Sequence, residues 1–217
     1  MLLLAVALFG SALIPVLALQ PNLEQQGFSL RLPLIGGLYV GICLLGVLAV
    51  FYPSKCRGVF QKSQNVLQKT EKPCLQINGH HPDCYKYEAN RIKIQGKVFC
   101  AACSGLLAGS VVALVGAVSY FFAGVGLKMD NIWLLILGEA LMILGIIQIR
   151  LASYAKLTVN MVFVSSSLLV LVETDFLMES ILVDLYALGL IAFILLLRIL
   201  FSEWNNKRTC MMCNIDQ

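Results

Sequence analysis

The sequence predicts an all-α integral membrane protein of about six transmembrane helices with a small cytoplasmic zinc-ribbon-like Cys/His loop. Three observations predict it. Apolar residues make up 59% of the 217 positions and charged ones 13%, with a mean hydropathy of +0.84. A water-soluble enzyme of this length is thereby excluded, because long apolar runs without interior charge are what a bilayer selects. Nine of the sixteen Lys and Arg residues fall in one loop, 53–97. Seven of the eight cysteines lie in or next to that loop or in the C-terminal tail.

The apolar runs place spans at 2–19, 33–52, 104–124, 131–149, 157–173 and 180–201. Each approximates the ~20 residues a helix needs to cross ~30 Å of hydrocarbon, and helices are required because lipid offers backbone groups no hydrogen bonds. The first run lacks a basic segment after Met1 and a small-residue cleavage site before Gln20, so it is taken as a retained span rather than a signal peptide.

Within 53–97 the bases Lys55, Arg57, Lys62, Lys69, Lys72, Lys86, Arg91, Lys93 and Lys97 face only Glu71, Asp83 and Glu88. The positive-inside rule puts this loop in the cytoplasm. Six spans then place Arg150, Lys156, Lys207 and Arg208 on the same side, with both termini. The 174–179 turn lies outside with Asp175 and Glu179, as do the bases Arg31 and Lys128. The chain divides into two helices (1–52), a basic loop (53–103), a four-helix bundle (104–201) and a cytoplasmic tail (202–217).

Cys43 falls inside span two as a small packed residue. Cys56, Cys74, Cys84, Cys100, Cys103, Cys210 and Cys213 face a reducing compartment, which favours metal or redox chemistry over disulfides. The loop reads His81-x2-Cys84-x15-Cys100-x2-Cys103, a two-knuckle zinc spacing with one Cys replaced by His. Ligands two residues apart converge from a tight turn, and four of them complete the tetrahedron of Zn²⁺. His80 competes with His81 for the ligand position. Between the knuckles Arg91–Ile94 alternates, Gln95-Gly96 turns and Lys97–Phe99 resumes, which predicts a hairpin delivering the second knuckle to the first.

Cys210-Met-Met-Cys213 offers a soft second pair, to which Cys56 or Cys74 could add. Without metal, Cys100 and Cys103 at a helix start form a dithiol of the kind an oxidoreductase uses.

Residues 80–109, with the His/Cys cluster and Phe99-Cys-Ala-Ala-Cys-Ser-Gly105 running into a small-residue helix, resemble a family of uncharacterised small prokaryotic membrane proteins. In that family a Cys-His pair precedes a Cys-x-Arg-Cys-x-Gly motif at the start of a span; Ala102 stands here in place of the arginine. The resemblance implies an integral membrane location and no established activity. Quinone-linked disulfide reductases of the vitamin K type also combine a loop cysteine pair with Cys-x-x-Cys at a span. Here the Cys-x-x-Cys opens the first span after the loop, and this likeness ranks below the first.

Residues 54–70 place Cys56, Val59, Phe60, Ser63, Val66 and Leu67 at helical spacing, the pattern of a basic amphipathic helix on the anionic inner leaflet. Nucleic acid is the weaker candidate for the same charges. Glu139 sits mid-span, where a carboxylate costs roughly 2.5–3.5 kcal/mol; Asn160 and Ser165–Ser167 are its expected hydrogen-bond partners, and a proton- or cation-coupled transporter is the alternative it raises. Asp184 is expected to be hydrated from the interface and Arg198 to snorkel. Gly37-x3-Gly41 and Gly105-x3-Gly109 are close-packing pairs, within the chain or in a homo-oligomer. The favoured function is a structural or regulatory membrane component or complex subunit, with the dithiol enzyme and the transporter behind it.

Overall fold

The computed structural model describes residues 2–19, 30–51, 90–94, 97–125, 131–148 and 151–212. In chain order these form α1 (Leu2–Ala18), α2 (Arg31–Phe51), the strands β1 (Arg91–Ile94) and β2 (Lys97–Cys100), α3 (Ala101–Ala117) extended by a π-helical turn (Val118–Phe122), α4 (Ile132–Ile147), α5 (Ser153–Met178) and α6 (Ile181–Met212). Among the described residues four helices are long and apolar enough to cross a membrane: α2, α3 with its π turn, α5, and α6 through Asn205. At 17 and 16 residues, α1 and α4 are apolar but shorter. Large apolar side chains such as Phe9, Leu45, Val115 and Leu182 point outward, as lipid permits and water does not.

The bundle is organised around α5, which packs most extensively against α3 and α4. Its contact with α3 depends on Gly105 and Gly109. A Cβ on Gly105 would overlap the Leu157 carbonyl oxygen, and one on Gly109 would lie 2.7 Å from that of Met161. The second small-residue pair differs, for Gly37 and Gly41 have nothing within 4 Å of where a Cβ would stand. α2 reaches α5 through the Tyr39 hydroxyl, 2.9 Å from Ser167 Oγ and 3.4 Å from the Val164 carbonyl.

The expected hairpin is present: β1 and β2 pair antiparallel with Arg91 opposite Cys100 and Ile94 opposite Lys97. Ile92 is buried, and the Tyr154 hydroxyl donates to the Lys93 carbonyl at 3.4 Å, which seats the hairpin on the start of α5. The chain passes from extended Cys100 directly into α3. α4 opens on Asn131, whose side chain accepts the Trp133 amide at 3.0 Å, an N-cap that satisfies one open donor.

Two boundaries differ from expectation in ways that matter for the site. α5 does not end at 173 but continues to Met178, so Thr174 and Asp175 join Glu173 as buried helical residues rather than forming part of an outer turn. It stops at Glu179, in the left-handed conformation (φ 45°, ψ 28°), whose N–H bonds to the Asp175 carbonyl at 3.0 Å. This is an αL cap, and it folds α6 back so quickly that Asp175 and Asp184 meet. At the other end α6 runs through the residues assigned to the tail, as far as Met212.

Candidate functional site

The structure brings Cys100 and Cys103 together. Cys100 ends β2 and is 6% exposed; Cys103, in the first turn of α3, is half-buried. Their thiols are close enough to interact. Two cations border them. Lys156, near the start of α5, interacts electrostatically with Cys100 and with Arg198 of α6, and Arg198 interacts with Cys103.

Both cations are buried, and both are held by neutral groups. Lys156 Nζ donates to Asn90 Oδ1, and Asn160 Nδ2 returns to the Lys156 carbonyl at 2.6 Å. Arg198 Nη2 donates to Gln148 Oε1 at 3.2 Å and to Asn160 Oδ1. The guanidinium lies over the Phe163 ring, 5.1 Å from its centroid, a favourable cation–π arrangement. Its Nε has no hydrogen-bond acceptor among the described residues. Arg198 therefore does not snorkel; three neighbours, Gln148, Asn160 and Phe163, hold it inside the bundle. A buried cation is costly without anionic compensation, and the thiols, among the described residues, are groups beside these two that can become anionic.

His80, His81, Cys84, Cys56, Cys74 and Cys213 lie outside the described residues, as do the side chain of Cys210 and the amphipathic segment 54–70. Among the described residues no three His, Cys, Asp or Glu side chains converge as a metal site. The two thiols are thus the described half of the four-ligand set read from the sequence. Asn90 is six residues beyond Cys84 and contacts Lys156, so the chain returns from the loop beside the thiol pair.

Glu139 lies where α4 meets α1 and α6, 6% exposed, and its Oε1 has no hydrogen-bond partner among the described residues. The neighbour it influences is Tyr186, whose hydroxyl donates to the Gly10 carbonyl at 3.0 Å. The expected serines are engaged elsewhere: Ser165, Ser166 and Ser167 donate to the carbonyls of Met161, Phe163 and Val164 at 3.1, 2.9 and 2.8 Å. Such bonding back onto the same helix is the cheapest way to satisfy a hydroxyl in an apolar bundle.

A second polar cluster, which sequence reasoning missed, occupies the far end of α5. Arg31 Nη1, from the first residue of α2, lies 3.1 Å from Asp175 Oδ1 and 3.1 Å from Asp184 Oδ2. The Tyr120 hydroxyl donates to Asp175 Oδ2 at 2.6 Å. The π turn aims Tyr120 at this carboxylate, with its ring edge-to-face on Phe121 at 4.8 Å; π turns recur where a side chain must be re-aimed. Asp184 is 0% exposed, so an ion pair and not interfacial hydration accounts for it. The signal available beforehand was Arg31, one of two bases on that side, at the same level as the acids flanking a tight turn.

No protein-family model, curated protein or solved structure matches this chain.

Proposed function

We propose that the protein is a six-span membrane component whose basic loop is ordered by a structural zinc-type centre, with Cys100 and Cys103 as two ligands and His81 and Cys84 as the others. The observation that carries this reading is the contact between the two thiols at the hairpin–helix junction beside the buried Lys156 and Arg198. A Zn²⁺ held by three thiolates and one neutral imidazole is a net anion with no open position, and two neighbouring cations suit it. On this reading α1 and α4 complete the six spans. The hairpin end is cytoplasmic, the loop presents its nine bases to the inner leaflet or a complex partner, and the chain is a member of the uncharacterised prokaryotic family that residues 80–109 resemble.

Elemental analysis of protein purified in mild detergent without chelator tests it, wild type beside Cys100→Ser/Cys103→Ser. The expected result is about one zinc per chain, lost in the variant. A site with three protein ligands and bound water would turn the reading to hydrolytic chemistry.

One observation favours a second reading. Thiols already in contact at a helix N-terminus are placed to form a disulfide, as a membrane dithiol oxidoreductase would use them. Metal-free protein in which Cys100 and Cys103 oxidise reversibly would establish that reading and remove the first.

A further inference from the structure

The cluster at the far end of α5 carries an excess of acid. One guanidinium faces two carboxyl groups, and all three side chains are buried: 12% exposed for Arg31, 3% for Asp175 and 0% for Asp184. Fully ionised, the group would carry one net negative charge in surroundings that solvate it poorly. The described groups facing the pair are Arg31 from α2 and Tyr120 from the π turn. Glu173, buried two residues before Asp175, and Glu179 at the helix cap are further carboxylates of α5, so its end supplies no additional positive charge.

Geometry separates this from an ordinary ion pair. The same guanidinium nitrogen, Arg31 Nη1, lies 3.1 Å from an oxygen of each carboxyl group, so both acids share one buried donor. Two carboxylates on one buried cation repel each other, and a proton on either removes that repulsion. Asp184 Oδ1 is buried with no hydrogen-bond donor among the described residues. One proton held by the pair brings the guanidinium and its two carboxyl groups to neutrality.

We propose that Asp175 and Asp184 form a proton-binding site that holds one proton between them at neutral pH, with Arg31 and Tyr120 fixing the pair. The bound proton joins the end of α5 to the start of α6, and Arg31 extends the link to α2. Loss of the proton leaves two carboxylates on one guanidinium and loosens that junction. The site is independent of the metal reading, because it lies at the opposite end of α5.

Infrared spectroscopy of the full chain in lipid, with aspartate carboxyls labelled with carbon-13, tests this. The label separates Asp from Glu139. The expected spectrum at neutral pH contains a labelled protonated-carboxyl carbonyl band, lost in Asp184→Asn and in Asp175→Asn because the remaining carboxylate then pairs with Arg31 alone. Absence of the band from labelled wild type overturns the proposal without any variant having to fold. A band that persists unchanged in both variants overturns it as well.

Discussion

The two ends of the bundle solve the burial of charge in opposite ways. At the hairpin end two cations, Lys156 and Arg198, are surrounded by amides, an aromatic ring and two thiols. At the other end, about 28 Å away along the 19-residue rise from Lys156 to Asp175, two carboxyl groups divide one guanidinium. The first end gains negative charge from whatever makes the thiols anionic; the second is neutralised by a proton. Among the described residues neither is a closed ion pair, and in a lipid-embedded bundle an open one calls for a ligand. The difference teaches that a buried charge without a counter-charge is more informative than a buried ion pair.

The sharpest way to break the comparison is to remove one cation at each end. Arg31→Met strands the singly ionised carboxyl pair and is expected to destabilise the protein by about 3–5 kcal/mol in reversible detergent unfolding, the cost of breaking a buried pair. Asp175→Asn and Asp184→Asn added together, which remove the stranded charge, should recover part of that loss. Arg198→Met, whose hydrogen-bond partners are neutral amides that can pair with each other, should cost distinctly less in the metal-free protein. Equal losses would mean that the two ends are held alike.

Tyr120→Phe removes a hydrogen bond to a charged group and is expected to cost about 1.5–3 kcal/mol, read in the same unfolding assay. Gly105→Ala places a methyl against the Leu157 carbonyl and is expected to cost about 1–3 kcal/mol. Gly37→Ala, on the face with nothing within 4 Å, should stay within about 0.5 kcal/mol in the monomer. A larger effect at Gly37 that depends on protein concentration would identify that face as a contact between copies.

The helical frame was legible because lipid imposes one simple rule on backbone groups, and the apolar runs obey it. The hairpin was legible too, since alternation from Arg91 to Ile94, a Gln-Gly turn and the extended Lys97–Phe99 leave few other structures. The acid end was not. Thr174 and Asp175 look like a solvated turn until Arg31 and Tyr120, distant in sequence, are brought beside Asp175 by α2 and the π turn. Arg198 was misplaced for the same reason: its depth in α6 permits snorkelling, and only the positions of Gln148, Asn160 and Phe163 turn it inward. Of the proposed metal ligands, sequence spacing names four, and the described structure positions Cys100 and Cys103.

The account rests on what the thiol pair binds, and cobalt substitution tests that most directly. The protein is stripped with a chelator under reducing conditions and titrated with Co²⁺ while its absorption spectrum is followed. The expected result is saturation at about one Co²⁺ per chain, with thiolate-to-cobalt charge-transfer bands and the visible bands of a tetrahedral ion, all absent from Cys100→Ser/Cys103→Ser. A spectrum of hydrated Co²⁺ alone, from protein whose thiols are reduced and intact, would contradict it.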